Sequence, residues 1–482
     1  DLEHSIGAVE TALPIASAFA LTYPGTLETF EVTNLDASGP GSLAAAVASA
    51  NANANPAETD RIVFRGLNGP IAPGATLSIT EPLAIVGSGQ ITIDGGGASR
   101  VFDVSAGLAI SNLTIAQGRA AEGGGAFRVN GATLSIDLCS ISGNVASENG
   151  GAIAAFASMV AVSRSTFSNN GGATGGAIFV SGSMLDIERS AFELNDALGN
   201  GGAIAIESSI AFIDDSLLAR NDAVGDGGAL HASQGEGGAP LLSVQNSTIS
   251  GNTARVGGGL AAFGNAYAEL VHATVTDNAM RQSGGTVCAA SGVDGCGLSG
   301  QGLVLVESSI LAGNRGGAGV DLAGDALDLE LEVHTSLVGR VEGGVATSGE
   351  PIFGEDPLLG PLADNGGRSR THALLEGSPA IDRGTNPGAL AFDQRGAGFP
   401  RVRGARADMG AFEFNPGSTG TGGGGGNVDA GVDAGMIDVG LGGRGNDGCG
   451  CSVPGGAGNA PTSGGIVAGL LGLLAFGRRR RR

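Results

Sequence analysis

Polar and apolar positions recur along this chain at a fixed interval. An asparagine returns at Asn144, Asn170, Asn195, Asn221, Asn252, Asn278 and Asn314. Three positions before each stands an apolar residue: Ile141, Phe167, Phe192, Leu218, Ile249, Val275 and Leu311. Eight positions before stand Ile136, Val162, Ile187, Ile213, Val244, Leu270 and Val306. The column five before is small: Cys139, Ser165, Ser190, Ser216, Ser247, Ala273 and Ser309. A Gly-Gly step keeps the same time, its first glycine at 124, 150, 175, 201, 227 and 258, so the intervals are 26, 25, 26, 26 and 31. Between these marks run short alternating segments such as Ala161-Val162-Ser163 and Leu185-Asp186-Ile187, which read as strands of three to five residues. No window sustains the i, i+3, i+4, i+7 pattern of a helix for ten residues.

Like residues at a constant period of about 26 describe a solenoid, because one coil cannot bury its apolar face alone. Stacking coils about 4.8 Å apart turns the columns into ladders of Ile, Val and Phe. The asparagines suit turns, where their amides can bond the copies above and below, and the glycines suit corners with positive φ. The fold class expected is therefore all-β: a right-handed parallel β-helix of about ten coils. Ser42 is placed to cap a helix running to about Asn53, whose Leu43, Val47 and Ala50 would close the open end of the solenoid.

Composition sharpens this picture. Glycine accounts for 90 of 482 residues, about 19% against an average near 7%. With 42% hydrophobic residues the chain has too much apolar content to be wholly disordered. The 25 basic residues are all arginine; against 47 acids they give −22, which argues against a nucleic-acid partner. The chain starts at Asp1, and residues 1–20 carry Asp1, Glu3 and Glu10 with no basic segment, so they do not read as a secretory leader. The expectation is a processed form or a fragment.

Four stretches resemble known families. Gly-Gly-Ala-Ile at 150–153, 175–178 and 201–204, with Phe-x-x-Asn at 167–170 and 192–195, resembles the repeats of the polymorphic outer-membrane proteins. Residues 30–43 and 60–64 resemble the leading segment of bacterial β-helix surface proteins. Residues 355–414, with Asp356-Pro-Leu-Leu, Gly377-Ser-Pro-Ala-Ile-Asp382 and Asp393-Gln-Arg-Gly396, resemble the choice-of-anchor Q domain. The tail joins Cys449-Gly-Cys451 to an apolar run at 466–476 and arginines at 478–482, and resembles the myxobacterial C-terminal sorting signal. That resemblance implies transient membrane insertion, removal of the tail by a sorting protease at Cys449 or Cys451, and display at the cell surface or outer membrane of a Gram-negative bacterium. Without the five tail arginines, 20 Arg against 47 acids gives −27. The resulting organisation is an N-terminal segment (1–25), a cap with first strands (26–84), β-helix repeats (85–345), the anchor-Q region (346–414), a Gly-rich linker (415–448) and the sorting signal (449–482).

The chemistry is sparser. Seven before the ladder asparagine stand Asp137, Ser163, Glu188, Asp214, Gln245, Val271 and Glu307; the next column holds Arg164, Arg189, Asp215, Asn246 and His272. Glu188 and Asp214 sit one coil apart, near the ~5–5.5 Å carboxylate separation of a retaining glycosidase, and Arg189 could clamp a uronate. Glu188, Asp214, Asp215 and Arg189 therefore form a polysaccharide lyase or glycoside hydrolase reading. The other reading of the column is a solvated ladder of weak ion pairs, which leaves a non-enzymatic, adhesin-like protein that binds a surface polysaccharide or another cell-surface ligand. His231, His272 and His372 are scattered in sequence, so neither metal nor other cofactor is expected. Cys139 lies in the serine column as a small thiol, and Cys288 and Cys296 are expected to pair in a local disulfide.

Overall fold

The computed structural model describes residues 28–53, 59–281, 285–290, 303–316, 320–324 and 330–416. The chain divides into two units, 1–423 and 424–482, and the second lies outside the described residues. Cys449, Cys451 and Cys296 are also outside them, as is the side chain of Cys288, so neither the tail nor the expected disulfide is described.

The repeat coils into a right-handed parallel β-helix of about ten turns about 26 residues apart. Each full coil visits four sheets in turn. In one coil Ile153–Phe156 lies in sheet I, Met159–Ser163 in sheet II, Thr166–Ser168 in sheet III and Gly171–Gly172 in sheet IV. The described strands number 11, 13, 12 and 7 in these sheets. Neighbouring coils pair in parallel and in strict register, for example Val160 with Leu185 and then Ala211.

Register puts like residues on top of like. The two apolar columns point inward and are buried, and they form one continuous core. Within it the Phe167 and Phe192 rings stack at 4.7 Å and 11°, and Phe102 and Phe127 at 5.2 Å and 7°. The helix α1 (Leu43–Ala52) packs on the first strands, its N-cap Ser42 accepting from the Ala45 N–H and its Leu43, Val47 and Ala50 buried. This closes the N-terminal end as the sequence suggests.

The asparagine ladder bonds as expected, but it is not where the chain turns left-handed. The Asn195 Oδ1 accepts from the Asn170 backbone N–H at 3.1 Å and from its Nδ2 at 2.9 Å. The Asn195 Nδ2 donates to the Phe167 carbonyl at 3.0 Å and to Asn221 Oδ1 at 2.9 Å. This pattern runs from Asn144 to Asn314, where Asp321 takes over as the final acceptor. The positive φ belongs to the residue just before each asparagine, such as Asn169 (55°), Leu194 (58°) and Arg220 (56°). That residue turns the corner, which frees the asparagine side chain to point inside.

The serine column makes a second ladder: Ser190 N–H donates to Ser216 Oγ at 3.0 Å, and the Ser190 hydroxyl to the Glu188 carbonyl at 2.9 Å. The glycines make the tightest corner. Gly175 has φ +70°, and at Gly176 an added Cβ would lie 2.1 Å from the Gly202 carbonyl oxygen. In the sixth repeat the positive-φ glycine is Gly257, one residue before the position the sequence pattern marks.

Replacing Asn195 with alanine breaks four buried hydrogen bonds and leaves the Asn170 N–H without its acceptor, an unsatisfied group costing about 1–3 kcal/mol on its own. Asn195→Ala is expected to lower the unfolding free energy by about 2–4 kcal/mol in chemical denaturation. The neighbouring Leu194 is 48% exposed at a left-handed corner that asparagine tolerates, so Leu194→Asn should stay within about 0.5 kcal/mol.

Candidate functional site

The strands of sheet II end on the acidic column, and the structure pairs Glu188 directly with Asp214 across neighbouring coils. The residue after each strand end turns a left-handed corner: Arg164, Arg189, Asp215, Asn246 and His272 all have φ between 48° and 52°. The corner swings each of these side chains beside the acids of its own and neighbouring coils. Arg189 meets Glu188 at 2.5 Å and faces Asp215 at 3.6 Å. Arg164 holds Asp137 through Nε at 2.9 Å and a second nitrogen at 2.5 Å, and Ser163 donates to the same carboxylate at 2.7 Å. The arginine offered as a substrate clamp is thus already engaged by the protein's own carboxylates.

Burial dominates the titration here. It pushes Asp214 up to about 8, with Asp215, Asp186 and Glu188 adding like-charge repulsion. It pushes Asp215 up to about 6, against the hydrogen bond from Asn246 and the charge of Arg189. Asp214 is therefore largely protonated at neutral pH and able to donate a proton.

The segment that follows the solenoid reaches this column at its later coils, where Asn246 and Glu307 bond to it. Residues 356–414 lie along its side, and their contacts run back through many coils. Arg370 pairs with Glu193, Gln394 Nε2 donates to the Ser216 carbonyl at 3.1 Å, and Asn246 Nδ2 to the Phe392 carbonyl at 3.2 Å. Ala411 N–H donates to Thr274 Oγ1 at 2.9 Å and Gly410 N–H to the Ser308 carbonyl at 2.7 Å. Leu374, Met409 and Phe412 share an apolar cluster with Ile310 and Leu337. The segment is a lateral cover on the coils.

Its own frame is ionic. Arg401 and Glu413 pair at 3.0 Å with side chains 0% and 1% exposed. Arg395 pairs with the buried Asp393 at 2.5 Å while its guanidinium lies 3.7 Å from the Phe412 ring centre and 4.1 Å from that of Phe399. Arg401 also donates to Asn246 Oδ1 at 3.1 Å, tying the cover to the corner column.

Two of the histidines have structural settings. His372 Nδ1 donates to the Gly360 carbonyl and its Nε2 bonds Ser250 Oγ, each at 2.8 Å. His272 lies beneath the cover, held neutral by burial and by the charge of Arg401. Cys139 is 4% exposed, and burial pushes its thiol up to about 12, which leaves it unreactive. Among the described residues no group of three His, Cys, Asp or Glu side chains is placed to hold a metal ion.

A second site was not legible in the sequence. On sheet I the outward column reads Ala154, Phe179, Ala205, His231 and Ala261. None of these belongs to the inner core, yet Phe179 is only 4% and His231 6% exposed. They line a cleft of about 190 Å³ whose rim includes Asn149, Asn200 and Glu207. His231 Nδ1 is buried without a hydrogen-bond partner. The available signal was a column of alanines broken twice by a large ring.

No family model and no curated protein matches the chain. Among solved structures it is similar to a mutant of an alginate lyase of the PL6 family, at 12% identity and a TM-score of 0.27. The alignment covers 78% of this chain and 59% of that one, so the chain spans under two thirds of the lyase.

Breaking one partner of a buried ion pair costs about 3–5 kcal/mol. Arg401→Met should accordingly release the cover, seen as new cleavage between residues 356 and 414 in limited proteolysis while the coils stay protected. Burial also lowers His231 to about 4 from 6.5. The unfolded chain then binds the proton more tightly, so the stability is complete above pH 6.5 and is lost as pH falls towards 4. His231→Phe is expected to remove about 2 kcal/mol of the acid destabilisation measured at about pH 5.

Proposed function

We propose that this protein is a surface-displayed, non-enzymatic binding protein that offers the side of its β-helix to glycans or other cell-surface ligands. The observation that carries the reading is the state of the acidic column. Its arginines are closed onto the chain's own carboxylates, and residues 356–414 lie over its later coils. A depolymerase needs that column open and its clamp free. The address rests on the resemblances of residues 150–204 to polymorphic outer-membrane protein repeats, of 355–414 to choice-of-anchor Q, and of 449–482 to a sorting signal. Under this reading a sorting protease removes the tail after transient membrane contact, at Cys449 or Cys451.

One observation favours a second reading, a polysaccharide lyase or glycoside hydrolase. Asp214, pushed up to about 8, is held protonated beside the paired position of Glu188, and a protonated carboxyl is what a general acid requires.

A single pair of assays separates the two. The folded protein incubated with pectins, alginate and glycosaminoglycans is expected to release no new ends, while a glycan array and a cell-adhesion assay give saturable binding. Depolymerisation that disappears in Glu188→Ala and Asp214→Ala would establish the enzyme instead.

A further inference from the structure

The outward face of sheet II carries an apolar stripe beside its acids. Each strand begins with an outward side chain, and register stacks Met159, Met184, Ile210, Leu241 and Tyr267 on five successive coils. All five are part-exposed, Met159 by 38%, while the residue that follows each on its strand is buried in the core. Large side chains about 4.8 Å apart shield one another's flanks, so what meets solvent is a row of tips. The row runs about 19 Å along the axis, and Phe212 widens it on the coil of Ile210. On sheet III the open coils present Ser140, Ser142, Thr166 and Ser168 instead, so an outward face of this array has no need of apolar residues. A contiguous exposed apolar surface marks a site of interaction, and methionine and aromatic residues are the types enriched in such surfaces.

The acids lie to one side of the stripe. Asp186 stands two residues and Glu188 four residues beyond Met184, and Asp214 stands four beyond Ile210, so they are about 7–13 Å away across the sheet. Arg189 serves Glu188 and Asp215, and Arg164 serves Asp137. Among the described residues no cation offsets Asp186 or Asp214. Both are pushed upward, first by burial and then by like charge, from Glu188 on Asp186 and from Asp215, Asp186 and Glu188 on Asp214. The face therefore offers apolar contact along one line and uncompensated negative charge along the next.

We infer that this face binds a basic amphipathic helix of a protein partner, its apolar side along the stripe from Met159 to Tyr267 and its arginines or lysines over Asp186 and Asp214. The inference rests on the binding-protein reading above and names the class of one such ligand. A helix rises 1.5 Å per residue, so about a dozen residues match the length of the stripe. Apolar side chains at i, i+3, i+4 and i+7 would follow it, and long basic side chains on the flank would reach the acids while laying their stems on Phe212. An added strand does not suit this face, because the backbone groups of its strands are already spent on neighbouring coils. A second copy of the chain does not suit it either, since each copy carries −22.

The test uses the full chain and a synthetic helical peptide of about fourteen residues with leucines on one face and arginines on one flank. Binding is read by fluorescence anisotropy, against the same peptide with glutamate for arginine and a scrambled peptide of equal composition. The arginine peptide should bind saturably and both controls at least tenfold more weakly. A cation beside Asp214 favours its ionised form, so binding releases a proton and the affinity should rise as pH is raised towards about 8. Asp214→Asn should flatten that rise. Met184→Ser combined with Ile210→Ser should weaken binding at least tenfold, and Asp186→Asn combined with Asp214→Asn at least fivefold, with thermal unfolding showing that each variant is folded. Equal binding of the arginine and scrambled peptides, or binding unchanged in both double variants, would overturn the site. Failure of the peptide while glycans or cells still bind saturably would overturn this inference and leave the binding-protein reading standing; absence of all binding would overturn both. Self-association of the parent that Ile210→Ser abolishes would give the face to a second copy and overturn the helix as its occupant.

Discussion

Coil-to-coil register is the constraint on which everything else in this molecule depends. Parallel backbone ladders alone allow a strand to slide, and a slip of one residue would turn every apolar column outward. The asparagine ladder removes that freedom. Each Asn side chain bonds both backbone and side chain of the coil before it and donates to the coil after it, all inside the core. Any slip would break these bonds where no water can replace them. Because register is fixed, a residue's neighbours along the axis are its own repeats, and surface features become columns. The acidic edge of sheet II and the column of Phe179, Ala205 and His231 on sheet I are both products of this rule.

The period, the strand type and the inward columns were readable because they are local and repeated: Phe167 and Phe192 identify themselves by being equivalent. The helix with Ser42, Leu43 and Val47 was readable for similar reasons of spacing and capping. Two features were not. The left-handed corners belong to Leu194 and Arg220, residues with no particular preference for that conformation, so the turn was credited to the asparagine beside them. The lateral cover depends on pairs such as Thr248 with Gln394, 146 residues apart, and no periodicity announces a contact made once. The candidate acids lie on neighbouring coils, and the groups that set their titration are close in the array: Asp186, Glu188, Arg189 and Asn246. The cleft on sheet I escaped notice because parity alone marks Phe179 and His231 as exposed, whereas both are buried.

The two lateral regions differ in their physics. The cover is held by buried opposite charges, Arg401 with Glu413 and Arg395 with Asp393, whose separation inside the protein is costly. Such pairs fix one geometry more than they add net stability. The cleft on sheet I is framed instead by rings, with Phe179 packed beside Phe156 and His231 beside Phe263.

The cover has a consequence for how the solenoid fails. A linear array of coils, each touching only its neighbours, ordinarily frays from its free end one coil at a time. Here one continuous segment is bonded to the coil of Glu193, to those of Ser216, Asn246 and Thr274, and to that of Ser308. Peeling the last coil away therefore requires loosening a strap that is also fastened several coils earlier. The C-terminal half of the array is converted from a stack of separable layers into one cooperative block, and its resistance to mechanical pull or protease is set by the whole strap and not by its weakest turn.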